Sequence, residues 1–220
     1  MLTVIGNLKG GSGKSTVAFN LAVWLAGAGE DPLSFDLDPQ ATLSDVAEVR
    51  HDEGHLPQIS VFRAENDPAE LMRKHKGEVL VDVGASNLWA MRQAINMADR
   101  IVVPVTPSQA DVWSTQRFLG IIWDALKDGH SPEIIGFINR ADTHSSVHET
   151  EETEQALSML PGLTVQKARL GQRTAFRRSF SEGLAVFELE RSGKAAEEFR
   201  RLAELLFPVA KRKNTKRQRG

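Results

Sequence analysis

The chain contains neither cysteine nor tyrosine. Without thiols it can form no disulfide, no thiolate-ligated metal site and no cysteine-held iron–sulfur cluster. Long apolar runs are missing too. Nothing approaches the roughly 18 uncharged apolar residues of a membrane span. The opening "MLTVIGNL" reaches glycine before a signal-peptide core can form. The six histidines show no metal-ligand spacing, and His51, His55, His144 and His148 fall in polar stretches. These absences predict a cytoplasmic protein with no membrane anchor.

What is present suffices for one packed domain. The 220 residues are 41% hydrophobic, within the range of a single α/β domain. The net charge of −2 conceals a division along the chain. Residues 166–220 carry fifteen Lys/Arg against six Asp/Glu, a balance of +9, whereas residues 1–165 carry twelve against twenty-three, a balance of −11. A basic C-terminal quarter on an acidic body points to a polyanion partner. Its end, "KRKNTKRQRG" (211–220), has no apolar residue. It reads as a disordered basic tail after a single domain over 1–210, and cannot be an amphipathic membrane helix.

Short apolar runs alternate with amphipathic stretches. Strands are predicted at 2–7, 33–37, 59–64, 78–84, 100–107 and 133–140. Helices are predicted at 14–30, 67–75 (capped by Asp67, with Pro68 in its first turn), 109–129, 148–160, near 172–182 and 193–207. Strand alternating with helix implies a mostly parallel, twisted sheet with helices on both faces. Ligands of such sheets bind at the carboxyl ends of the strands.

The first strand runs into Gly10-Gly11-Ser12-Gly13-Lys14-Ser15-Thr16 and then into a helix, the context a phosphate-binding loop requires. Glycines let backbone N–H groups turn inward around phosphate oxygens, and a helix N-terminus adds positive potential. Lys14 is expected to reach the β- and γ-phosphates, Ser15 to ligate Mg²⁺ and Thr16 to meet the α-phosphate. The general pattern puts glycine where this chain has Leu8, and it has a second lysine, Lys9, at the front of the loop. Asp36 and Asp38 flank Leu37 at a strand end, so alternation turns both carboxylates toward the loop.

"KGGSGK" (9–14) resembles the deviant phosphate loop of the ParA/MinD family of ATPases. "FDLDPQATLSD" (35–45), "VLVDVGAS" (79–86) and "VVPVTPS" (102–108) resemble further motifs of that family, and "RRSFSEGLAVFEL" (177–189) resembles a stretch of its small plasmid-partition members. The resemblance spans nearly the whole chain. It implies a P-loop fold and slow, Mg²⁺-dependent ATP hydrolysis. It implies that Lys9 reaches the nucleotide of a second subunit in an ATP-bound homodimer. It implies that Asp38 orients the attacking water and that Asp36 and Asp82 help hold Mg²⁺ through water. Gln40 is expected on the dimer-facing side and Pro107 near the base. Asn139, at a strand end, is either an adenine contact or a turn former.

Absences then sort the members. Nitrogenase-type electron donors need cysteine, and bacterial tyrosine kinases carry a tyrosine cluster. MinD-like members end in an apolar-faced helix. The remaining expectation is a small partition ATPase on the nucleoid that binds DNA non-specifically through Arg169, Arg173, Arg177 and Arg178. A cargo-bound ParB-like adaptor would stimulate its hydrolysis. Two alternatives share the loop: a metabolic ligase similar to dethiobiotin synthetase, and an accessory ATPase of DNA transfer.

Overall fold

The computed structural model of the chain describes residues 1–63, 68–126, 129–143 and 148–208. Its first half alternates strand and helix: β1 (Leu2–Gly6), α1 (Lys14–Gly27), β2 (Leu33–Asp36), α2 (Thr42–Asp52), β3 (Ser60–Arg63), α3 (Pro68–Lys74), β4 (Val79–Val83) and α4 (Leu88–Met97). The second half continues with β5 (Arg100–Val105), α5 (Gln109–Ala125), β6 (Glu133–Ala141), α6 (Glu149–Ser158), β7 (Thr164–Val165), β8 (Leu170–Gly171), α7 (Thr174–Ser181), α8 (Val186–Leu189) and α9 (Lys194–Leu206). The strands lie in the order β3-β2-β4-β1-β5-β6-β7, with β8 pairing β6 off that path. Every pairing is parallel. This is the expected α/β architecture. The expected Asp67 cap, His144 and the 211–220 tail lie outside the described residues.

Central strands are buried on both faces, which is why they read as continuous apolar runs. In β4, Val79, Val81 and Val83 join the core on one face, with α3, α4, α5 and α6. Leu80 joins the core on the other, with α1, α2, α7, α8 and α9. Helix α1 departs from the amphipathic reading: every residue from Val17 to Leu25 is buried. It lies between the sheet and the C-terminal helices, and a helix enclosed on all sides needs no polar stripe. Its one buried amide, Asn20, is bonded at both ends: Nδ2 donates to the Thr16 carbonyl at 2.8 Å and Oδ1 accepts from Val186 N at 2.7 Å.

Three helices are absent from the sequence reading, one of them the single turn α8. In α2 the buried positions are Leu43, Val46 and Arg50, so a charged residue completes the inner stripe and obscures the period. In α4 the stripe Ala90, Met91, Ala94 and Ile95 is regular, and the Asn87 side chain caps it by accepting from Ala90 N at 3.1 Å. That cap was a legible signal.

Arg50 is completely buried. Its guanidinium donates to the Pro57 carbonyl at 2.9 Å and the Gly183 carbonyl at 3.0 Å, and pairs bidentately with Glu188 at 2.8 and 2.9 Å. Gly183, at φ 65°, packs on the Arg50 backbone, where a Cβ would overlap main-chain atoms. The group fastens α2 to the α7–α8 junction. Arg50→Ala should lower the unfolding free energy by about 3 kcal/mol, because Glu188 keeps a desolvated charge without its partner. Urea titration measures this, and a loss under about 1 kcal/mol would place the pair among ordinary surface bridges.

Candidate functional site

The carboxyl ends of β1, β2, β4 and β6 converge on one cleft. β1 delivers Asn7, whose side chain is buried: Nδ2 donates to the Pro104 carbonyl at 2.9 Å and Oδ1 accepts from Lys9 N at 3.1 Å. Asn7 therefore sets the front of the loop, a role with no motif to announce it. Gly13 adopts φ 87° at the start of α1, and a Cβ there would overlap the Asn139 side chain. Glycine is required twice over, for conformation and for space.

Asn139 is bonded on both sides of its amide within the chain. Its Nδ2 donates to the Ser12 carbonyl at 2.7 Å and its Oδ1 accepts from Arg140 N at 3.0 Å. The amide is a strut between β6 and the phosphate loop, and the residue also lines the cavity beside the cleft. Pro107, expected near a base, is not among the residues lining the cleft or the cavity beside it.

The two lysines face different surroundings. Lys14 is buried, and its ammonium donates to the Lys9 carbonyl at 3.3 Å across the mouth of the loop. Lys9 is exposed, and its ammonium has no hydrogen bond or ion pair among the described residues. The cleft has a volume of about 400 Å³ and is lined by Gly10, Gly11, Gly13, Lys14, Ser15 and Thr16 on the loop side. Asp38, Gln40, Thr42, Ala85, Ser86 and Arg140 complete it.

The three acids differ in state. Asp36 ends β2, and its oxygens accept from Ser44 N at 2.8 Å, Ser44 Oγ at 3.0 Å and Asp38 N at 3.2 Å. Burial raises its pKa despite these bonds. It ties the cleft loop to the start of α2. Asp38 lies beyond the end of β2, where its Oδ1 accepts from Gln40 N at 3.1 Å and from Ser86 Oγ at 3.3 Å. A Cβ on Gly84 would overlap that carboxylate, so glycine there lets Asp38 lie against the 84–86 turn.

Asp82 is 1% exposed, and neither oxygen accepts a hydrogen bond of ordinary geometry. Burial pushes its pKa up to about 7; Asp36 and Asp38 add to the rise, while Ser15 and Lys14 offset part of it. A desolvated carboxylate with free oxygens beside a serine hydroxyl fits a hard divalent cation. Among the described residues no group of three His, Cys, Asp or Glu could hold a metal alone. Phosphate and water oxygens would therefore have to complete the shell, as is usual for Mg²⁺.

A second cavity of about 560 Å³ adjoins the cleft, sharing Gly13, Thr16 and Arg140 with it. Its far wall is α7, through Thr174, Phe176, Arg177 and Phe180. A loop cleft opening into a half-apolar cavity has room for a nucleoside polyphosphate, phosphates on the loop and base beyond.

The four arginines expected on one basic face divide. Arg169 donates to Glu151 at 2.7 Å and also pairs with Glu154. Arg173 precedes α7 in extended backbone and does not share a helical face with Arg177. It pairs with Glu198 at 2.5 Å, which raises its pKa. Both are neutralised by carboxylates and leave the expected polyanion face. Arg177 and Arg178 remain exposed on α7, without ion pairs among the described residues.

Comparison with known proteins agrees with this geometry. The model of the CobQ/CobB/MinD/ParA nucleotide binding domain matches residues 3–186. Maintenance of carboxysome distribution protein A from Gloeobacter kilaueensis is 32% identical, covering 91% of both chains. Its namesake from Halothiobacillus neapolitanus is 27% identical, covering 93% of this chain and 95% of its own. A plasmid partition protein of Borrelia burgdorferi solved with AMPPNP superposes with a TM-score of 0.64 at 17% identity, covering 91% of this chain and 98% of its own.

Gly84→Ala tests the cleft. Displacing Asp38 by about an ångström should slow hydrolysis of bound nucleotide roughly 100-fold, with nucleotide affinity little changed because the loop is untouched. A phosphate-release assay beside a binding titration separates the two; unchanged turnover would remove Asp38 from the reacting end.

Proposed function

The chain belongs to the CobQ/CobB/MinD/ParA nucleotide-binding family, and from that premise we propose that it is a partition- or positioning-type ATPase. It dimerises on ATP, binds DNA without sequence preference and is discharged by an adaptor on its cargo. The family's ParA and MinD members are ATPases. The observation that carries the proposal is the pair of lysines, one buried in the cleft and one exposed at its lip.

Phosphoryl transfer asks mainly for positioning and charge neutralisation. Lys14 leaves the Lys9 carbonyl and turns to the β- and γ-phosphates, while the N–H groups of the glycine loop surround them. Ser15 and, through water, Asp82 would hold Mg²⁺, which would supply positive charge to the phosphate oxygens. Asp36 serves this set mainly by anchoring α2. Asp38, steadied by Ser86, orients the attacking water. Among the described residues no stronger base lines the cleft, which is in keeping with slow turnover until the adaptor completes the site.

Lys9 then acts across a two-fold interface on the second subunit's nucleotide. A cation from the partner makes the γ-phosphate part of the contact, and hydrolysis weakens it. Arg177 and Arg178, doubled in the dimer, supply phosphate contacts to DNA, with the 211–220 tail adding charge. The carboxysome-distribution relatives and the plasmid-partition fold suggest cargo positioned over the nucleoid by a ParB-like adaptor.

With Asp38→Ala to block hydrolysis, light scattering should show a dimer with ATP and a monomer with ADP. Lys9→Ala should keep nucleotide binding but stay monomeric, and Lys14→Ala should lose nucleotide binding. A monomer under both nucleotides defeats the dimer, and equal loss of affinity in the two lysine variants makes Lys9 an ordinary ligand of its own chain.

DNA binding should need ATP and fall with salt at a log–log slope of about −0.9 per phosphate contacted, varying little among sequences. Replacing Arg177 and Arg178 with Ala should cut DNA affinity sharply, because the dimer joins two such patches; Arg177 also walls the cavity beside the cleft, so nucleotide binding and dimerisation of the variant are measured alongside. Fluorescence anisotropy on random duplex at two salt concentrations reads this. Unchanged binding in the double variant, or equal binding with ADP, would take α7 out of the DNA contact.

A further inference from the structure

Among the described residues, two that are not glycine occupy the left-handed region: Ala41 at φ 53° and Arg140 at φ 57°. Such backbone costs an L-residue about 1–2 kcal/mol and persists where its surroundings over-determine it. Both lie at the phosphate cleft. Ala41 sits between Gln40 and Thr42, which line it, and Arg140 lines it directly. Ala41 has a local account, since it forms the turn into α2, with its N–H on the Asp38 carbonyl at 2.9 Å. Arg140 has a different one. Asn139 pairs with Leu170 and Ala141 with Gly171, so Arg140 is the extra residue of a β-bulge between β6 and β8. A bulge re-aims a side chain that regular alternation would place elsewhere.

The re-aimed side chain lines both the phosphate cleft and the adjoining cavity, and it is the cation common to the two. Arg140 is exposed, and its guanidinium has no hydrogen bond or ion pair among the described residues. Its neighbours are anchored: Asn139, 7% exposed, is locked to Ser12, and Ala141 is 6% exposed. A strained backbone held by buried neighbours thus presents five unsatisfied donors at the junction of two cavities.

We propose that Arg140 is a nucleotide-binding residue of this chain. Its guanidinium grips the phosphate–ribose junction of a nucleoside polyphosphate whose outer phosphates lie on the loop and whose base lies toward α7. The fork of N–H donors suits paired phosphate oxygens better than an ammonium would. Thr16, also shared by both cavities, marks the same point along the ligand. Because the junction is common to ATP and ADP, Arg140 acts on both. The inference rests on the nucleotide-site reading and adds a residue that the loop motif does not contain.

The test titrates fluorescently labelled ATP and ADP into the full chain and its Arg140→Gly variant. Glycine adopts φ 57° without strain, so thermal unfolding without nucleotide should show an intact fold; Arg140→Asn, also tolerant of positive φ, provides an independent reading. Affinity for both nucleotides should fall about 10-fold or more by the same factor, as expected for lost charge-assisted bonds, and Arg140→Lys should fall between. Unchanged affinity in folded variants overturns the proposal. So does a loss confined to ATP, which would put Arg140 on the γ-phosphate or on the second subunit. An unmutated chain that binds neither nucleotide would instead overturn the nucleotide-site reading itself.

Discussion

A parallel sheet sealed on both faces has no interior place for charge, and that constraint organises the molecule. Val79, Val81 and Val83 face one helical layer and Leu80 the other. The carboxylates that follow must gather where the strands run out. Asp36 and Asp82 are direct register partners in β2 and β4, with Ile5 of β1 alongside Asp82. Parallel pairing thus brings two acids from distant parts of the chain to one level, directly beneath the glycine loop. Concentrating negative charge at low exposure is unfavourable unless cations join it. Lys14 supplies one, and Asp82 retains the unsatisfied character that a divalent ion would relieve.

The loop is held from below and from the side by amides instead of ions. Asn7 fixes Lys9 N, and Asn139 fixes the Ser12 carbonyl. Amides hold the backbone in place without adding charge to a site whose purpose is electrostatic. Asn139 also holds Arg140 N, so one strut steadies both the loop and the bulge beside it.

Helix α2 connects the cleft to the C-terminal helices. Its first turn is bonded to Asp36 through Ser44, and Arg50 near its end is bonded to Gly183 and Glu188. Glu188 in turn accepts from Ala185 N at 2.8 Å, and His55 Nε2 shares a hydrogen bond with the Glu182 carbonyl at 3.0 Å. Through these bonds the element that starts beside Asp38 also shapes the chain that leaves α7, the helix bearing Arg177 and Arg178. The same α7 walls the cavity next to the phosphate cleft.

Much was legible in the residues themselves. Glycine spacing after a short strand identified the phosphate loop because few other sequences satisfy its backbone geometry. The order of strands and helices implied the layered parallel sheet, and the lone Asp82 in an apolar run stood out as a candidate site residue. Three things were decided only by tertiary structure. Arg169 and Arg173 look like free cations until Glu151, Glu154 and Glu198, from α6 and α9, come within reach. Arg140 reaches the cleft through a bulge against β8, some thirty residues later, which no local pattern announces. Arg50 has no local signal at all, and its burial depends on Glu188, 138 residues away. The physical reason is shared: periodicity and turn chemistry are local, whereas the state of a charge depends on what the fold brings beside it.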